Sequence, residues 1–96
     1  MEICFVNLAS GYSGGENQTF FLAKELIKNN VDIVAVTNPK SLLTSKLESL
    51  GIKTIPSNHP LKGHFHPLLR DLDLIHAHDG RAVHWASLHK AIFKSP

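Results

Sequence analysis

The chain has 96 residues, enough for one small domain with a modest core, so residues 1–96 are read as a single unit. With 43% hydrophobic and 19% charged residues it has the composition of a globular protein, and no apolar run is long enough to span a bilayer. A net charge of +2, on lysines and an arginine scattered over Lys40, Lys46, Lys53, Lys62, Arg70, Lys90 and Lys94, excludes a strongly basic surface and argues against nucleic acid as partner.

Glu2 is acidic where a secretory leader would be basic, and a cytoplasmic location is expected. Residues 3–6 form a short apolar run that fits a buried parallel strand. The single cysteine, Cys4, lies inside it as a small hydrophobe, which leaves no disulfide framework. Residues 16–29 predict a helix with Phe20, Ala23, Leu26 and Ile27 as its apolar stripe, ended by Asn29 and Asn30. Residues 31–36 are a second buried strand. Leu43, Leu47 and Leu50 then repeat at helical spacing, with Ser41 as the cap and Gly51 as the stop.

A third strand at 52–55 precedes a stretch broken by Pro56, Pro60, Gly63 and Pro67, in which Phe65, Leu68 and Leu69 could pack as one turn. Residues 72–76 predict a fourth strand, and 81–93 a last helix with Ala82, Trp85, Ala86, Ile92 and Phe93 on its apolar side. The alternation of strands and helices predicts a parallel sheet with helices on both faces, an α/β architecture of three layers. Right-handed crossovers and a return of the chain after the third strand give the order 3-2-1-4, with a switch point between strands one and four.

The loops that converge there are 10–16 and 76–81. The first, Ser10-Gly11-Tyr12-Ser13-Gly14-Gly15-Glu16, is a glycine-rich turn between a strand and a helix start. Such a turn suits phosphate, because glycines permit positive φ and close approach while the helix end offers N–H groups and a positive dipole. It is not a Walker loop, since Gly14 and Gly15 are followed by Glu16 and Asn17 rather than by Lys and Ser or Thr. Nor is it a dinucleotide fingerprint, because the spacing is G-x-x-G-G and strand two closes on Thr37 and Asn38 with no acidic residue for a ribose. A tight turn that binds nothing is the plain alternative.

Taken together, Asn7-x-x-x-Gly11-x-x-Gly14-Gly15-Glu16, the following Leu22-Ala23-Lys24-Glu25-Leu26, and Asp73-Leu74-Ile75-His76-Ala77-His78 resemble the amino-terminal domain of GT-B type glycosyltransferases. The closest group is the large retaining family, glycosyltransferase family four-like, that includes many lipopolysaccharide and exopolysaccharide enzymes. The resemblance implies a Rossmann-like fold and transfer of a sugar from a nucleotide-sugar donor to a glycan or lipid-linked acceptor. That donor is a substrate, and no further cofactor or metal is implied. It also implies that Gly14 and Gly15 face the donor's diphosphate and sugar, and that His78 makes a catalytic polar contact beside the donor sugar. His76 would support it from within the strand, with Glu16, Asp79 and Arg81 in acceptor-side or supporting roles. The nucleotide-holding carboxyl-terminal domain, with its E-x-x-x-x-x-x-E motif, is not in this sequence. The chain therefore reads as an incomplete acceptor-side domain, inactive alone, with peripheral contact at the inner face of the cell membrane a further expectation.

Of the seven histidines, His64 and His66, His76 and His78, His84 and His89 have no cysteine or carboxylate at a metal-ligand spacing, so no metal site is read from them. His84 and His89 fall on different faces of the last helix, and His89 near its carboxyl end is expected to answer the helix dipole. Two other readings stay open: a nucleotide-binding module complete in itself, and a structural or regulatory domain with no ligand at the glycine turn. The fourth strand is expected at the sheet edge, where an apolar, unpaired backbone invites self-association.

Overall fold

A computed structural model of the chain describes residues 2–11, 14–59, 69, 72–77 and 80–93. In chain order the elements are β1 (Glu2–Asn7), α1 (Gly14–Lys28), β2 (Asp32–Thr37), α2 (Leu42–Glu48), β3 (Lys53–Pro56), β4 (Leu74–Ala77) and α3 (Gly80–Phe93). The four strands form one parallel sheet in the order β3-β2-β1-β4, a small Rossmann-like α/β fold as the alternation predicts.

Alternate residues along the central strands feed two cores. Cys4, Val6 and Leu8 join Val34, Val36 and Ile55 on one face, where Leu69, Leu72 and the α3 residues Ala82 and Trp85 cover them. Ile3, Phe5 and Ala35 point to the other face, under Ala23 of α1 and Leu43 and Leu47 of α2. Each strand of the pair β1 and β2 is thus buried on both sides, which is why both read as unbroken apolar runs. Burial also pushes the Cys4 thiol up from its ordinary range, chiefly through desolvation and secondarily through Glu2. Cys4 is accordingly expected to resist iodoacetamide in the folded chain at about pH 8 and to react once denatured; labelling of the native chain at the rate of a free thiol would contradict its placement.

The helix ends follow local chemistry. Ser41 is the N-cap of α2 and its hydroxyl accepts from the Leu43 N–H. Two left-handed residues terminate helices, Asn30 at φ 62° and Gly51 at φ 82°. At the first, Asn30 N bonds Ile27 O and Val31 N reaches Leu26 O. At the second, Gly51 N bonds Glu48 O and Ile52 N reaches Leu47 O. Both are Schellman closures, and each returns an apolar residue to the same core.

Three expectations need correction, and a fourth is extended. α1 begins at Gly14, two residues earlier than its apolar pattern predicts, because the first helical turn gives up no hydrogen bond by including glycines. Gly11, Gly14 and Gly15 do not use positive φ; among the described glycines only Gly51 does. β4 starts at Leu74, not at 72: Leu72 instead fills the core below α3, while the Asp73 carboxylate accepts from Glu2 N at 2.7 Å. His89, expected to answer the helix dipole, is set by core packing and a backbone partner as well. It lies on the buried stripe of Ala82 and Trp85 at i, i+3 and i+7, fully enclosed, with Nε2 2.8 Å from Leu69 O and its ring stacked on Trp85 at 4.8 Å. Residues 60–68, including His64, His66 and the turn expected around Phe65 and Leu68, lie outside the described residues, and Leu69 is buried.

Candidate functional site

All four strands end on one edge of the sheet, and α1, α2 and α3 all start there. β1 and β4 are neighbours, yet the helix after β1 covers one face and the helix after β4 the other. Such a divergence marks a switch point, and open α/β sheets take ligands at switch points. Gly14 and Gly15, in the first turn of α1, stand on one side of it. On the other side β4 carries His76 near its carboxyl end, and Ala77 closes the strand.

The space at the two glycines is open. Among the described residues, a Cβ placed on Gly11, Gly14 or Gly15 would meet no atom within 4 Å beyond its chain neighbours and its own helix. With ordinary φ as well, the fold itself does not require glycine at 14 or 15, although glycine in a helix costs up to about 1 kcal/mol relative to alanine. The amides of Gly14 and Gly15 open the helix and have no intrahelical carbonyl to bond. Thr19 Oγ1, one turn on, donates to Gly15 O at 3.0 Å and fastens the turn from below.

Buried polar side chains gather along the same edge: Asn7, Glu16, Thr37, Asn38, Ser41 and Ser57. Glu16 is 8% exposed and accepts from Asn7 Nδ2 at 3.2 Å. The two polar ends of the glycine motif therefore hold each other beneath the turn. A carboxylate in a first helical turn is favoured by the dipole, and the Asn7 amide adds to that. The same charge makes this helix start less positive than a bare one, so an anion there depends on the backbone donors rather than on net charge. Asn7 Oδ1 also accepts from Ala9 N at 3.1 Å. Motif spacing marks Asn7 and Glu16 in the sequence, but nothing there indicates that they bond.

His76 lies in β4 as expected, is solvent-exposed, and has its ring 5.5 Å from that of Phe5. His78 and Asp79 lie outside the described residues, as does the side chain of Arg81, whose backbone is in the first turn of α3. A groove of about 500 Å³ is found at the opposite end of the sheet, lined by Glu2, Asn30, Asp32, Gly51 and Lys53 among others, away from the glycine turn. Among the described residues no group of three or more His, Cys, Asp or Glu could hold a metal ion, and no helix is long and apolar enough to cross a membrane. Compared with known proteins, the chain matches no family model, no curated protein and no solved structure.

Proposed function

We propose that this chain is the amino-terminal, acceptor-side half of a GT-B glycosyltransferase that moves a sugar from a nucleotide-sugar donor to a glycan or lipid-linked acceptor of the cell envelope. The observation that carries the reading is the glycine pair. Gly14 and Gly15 sit at a helix start beside the β1/β4 switch point, at ordinary φ and with open space around them among the described residues, so neither backbone strain nor packing by those residues accounts for them. Room for a ligand does. The resemblance of the motifs around them supplies the ligand class, a diphosphate bearing a sugar.

In that reading the bond between the anomeric carbon and the diphosphate oxygen breaks, the diphosphate leaves with the electron pair, and the acceptor hydroxyl adds to the carbon and loses its proton. Backbone N–H groups at Gly14 and Gly15 would stabilise charge on the leaving diphosphate. His78 would donate a hydrogen bond beside the donor sugar, a role that rests on the H-x-H motif alone. Asp79 and Arg81 would serve the acceptor side, and a second Rossmann-like half would hold most of the nucleotide. Calorimetric titration of the 96-residue chain with pyrophosphate, UDP, UDP-glucose, GDP-mannose and NAD tests the reading. Binding shared by pyrophosphate, a nucleoside diphosphate and its sugar ester is expected. Binding of NAD alone, or of none of these, would overturn it.

The same reading makes β4 an inner strand of a wider sheet. Among the described residues it pairs with β1 only, and Leu74 is 45% exposed. Asp71 and Asp73 give some charge near its start in the sequence, but Leu74, Ile75 and Ala77 offer little protection against edge pairing. The chain by itself is expected to self-associate at high micromolar concentration and to turn over no sugar nucleotide. Light scattering that reports a clean monomer would refute the first expectation, and measurable turnover the second.

A further inference from the structure

We infer that Asn38 and Ser41, at the end of β2, are positioning residues for the glycine turn that follows β1. The inference rests on the reading of that turn as a diphosphate site. Residues 8–11 lie outside the helices and strands, and two side chains from the connection between β2 and α2 reach them. Asn38 Nδ2 donates to Leu8 O at 3.2 Å, and Ser41 Oγ donates to Gly11 O at 3.2 Å, each across 30 positions of sequence. Both donors are buried, at 5% and 4% exposure. The helix begins three residues after Gly11, so a shift of the Gly11 carbonyl is close enough along the chain to be passed to Gly14 and Gly15.

The grip is itself held. Asn38 Oδ1 accepts from Lys40 N at 2.9 Å, and Thr44 Oγ1 donates to Asn38 O at 2.8 Å while pairing with the Thr37 hydroxyl. The Ser41 hydroxyl that reaches Gly11 also caps α2. In a dinucleotide-binding sheet the residue closing β2 faces a ribose. Here both polar ends of Asn38 are committed to backbone groups of the loops, and the end of β2 acts on the ligand through the first loop. Small displacements of positioned donors are costly in binding and in catalysis.

The double role of Ser41 permits a separation. Ser41→Gly removes the donor to Gly11 but keeps the helix start, since glycine is a good N-cap and the site's φ of −81° and ψ of 139° suit it. Ser41→Thr keeps both bonds. Asn38→Asp keeps the acceptor for Lys40 N and loses the donor to Leu8 O. In the ¹⁵N-labelled full chain, amide exchange at Ala9, whose N–H bonds Asn7 Oδ1 inside the gripped loop, is expected to quicken about three- to tenfold in Ser41→Gly, and the pyrophosphate dissociation constant to rise by a similar factor. Ser41→Thr should restore both, which a residue serving only α2 would not require. Unchanged exchange and affinity in Ser41→Gly overturn the inference; should that variant fail to fold, Asn38→Asp gives the deciding exchange measurement, with quickening supporting the grip and no change overturning it. If the parent chain does not bind pyrophosphate, the diphosphate reading fails, and the exchange rates alone decide whether the grip exists.

Discussion

Trp85→Ala is expected to remove about 3–5 kcal/mol of stability, a large share of the roughly 5–15 kcal/mol that holds a domain of this size. Trp85 is fully buried and stacks on the equally buried His89, and with Ala82 it covers Cys4 and Val6 of β1 and Leu8 just beyond it. Removing the indole leaves a cavity between α3 and the sheet and strips His89 of its stacking partner. Leu69, which reaches the same core and binds His89 through its carbonyl, loses support at once. Urea unfolding followed by circular dichroism should show the midpoint lowered by roughly 2 M. Val83→Ala, at a neighbouring exposed position, should stay within about 0.5 kcal/mol of the parent. A Trp85→Ala midpoint within about 0.5 M of the parent would mean that α3 does not close this face.

Gly15→Val is expected to do the reverse, leaving stability nearly unchanged while abolishing diphosphate binding. A Cβ at Gly15 meets no atom within 4 Å among the described residues beyond its own helix, and the backbone there is helical, so the fold accepts the side chain. The ligand would not, because the isopropyl group fills the space over the helix start. Loss of one or two charge-assisted backbone bonds corresponds to about ten- to a thousandfold in affinity. Gly15→Ala should match or exceed the parent in thermal stability, since alanine is the better helix residue. Near-parental binding by a well-folded Gly15→Val chain would remove the ground for placing phosphate at this turn. A Gly15→Ala chain that unfolds easily would instead show that glycine serves the fold.

What could be read without coordinates was whatever has a period or a local chemical signature. The apolar runs of β1 and β2 fix both as strands buried on two faces, and handed crossovers turn the alternation into the order 3-2-1-4. Ser41, Asn30 and Gly51 are legible as helix ends because capping is settled within a few residues. His89 was not legible: imidazole reads as polar, and only the stripe begun by Ala82 and Trp85 shows that position 89 faces inward. The bonds from Asn38 to Leu8 and from Ser41 to Gly11 join residues 30 apart, and such side-chain contacts leave no pattern along the chain. The positive φ expected of the glycine turn failed for a related reason. Glycine admits that conformation without demanding it, and α1 simply begins at Gly14.

Glycines at ordinary φ are not required by the backbone at positions 14 and 15. If they answer to the diphosphate of a sugar donor, its binding should be confined to one edge of the sheet. The most direct measurement is a residue-resolved map of ¹⁵N amide shifts during titration with UDP-glucose and, in parallel, pyrophosphate. Both ligands are expected to move the amides of Gly11, Gly14 and Gly15 and of Ala77 at the end of β4, and to leave Asp32, Gly51 and Lys53 at the far end unchanged. Shifts confined to the groove around Asp32, Gly51 and Lys53, or no shifts at the glycines at millimolar ligand, would contradict a diphosphate site at the glycine turn.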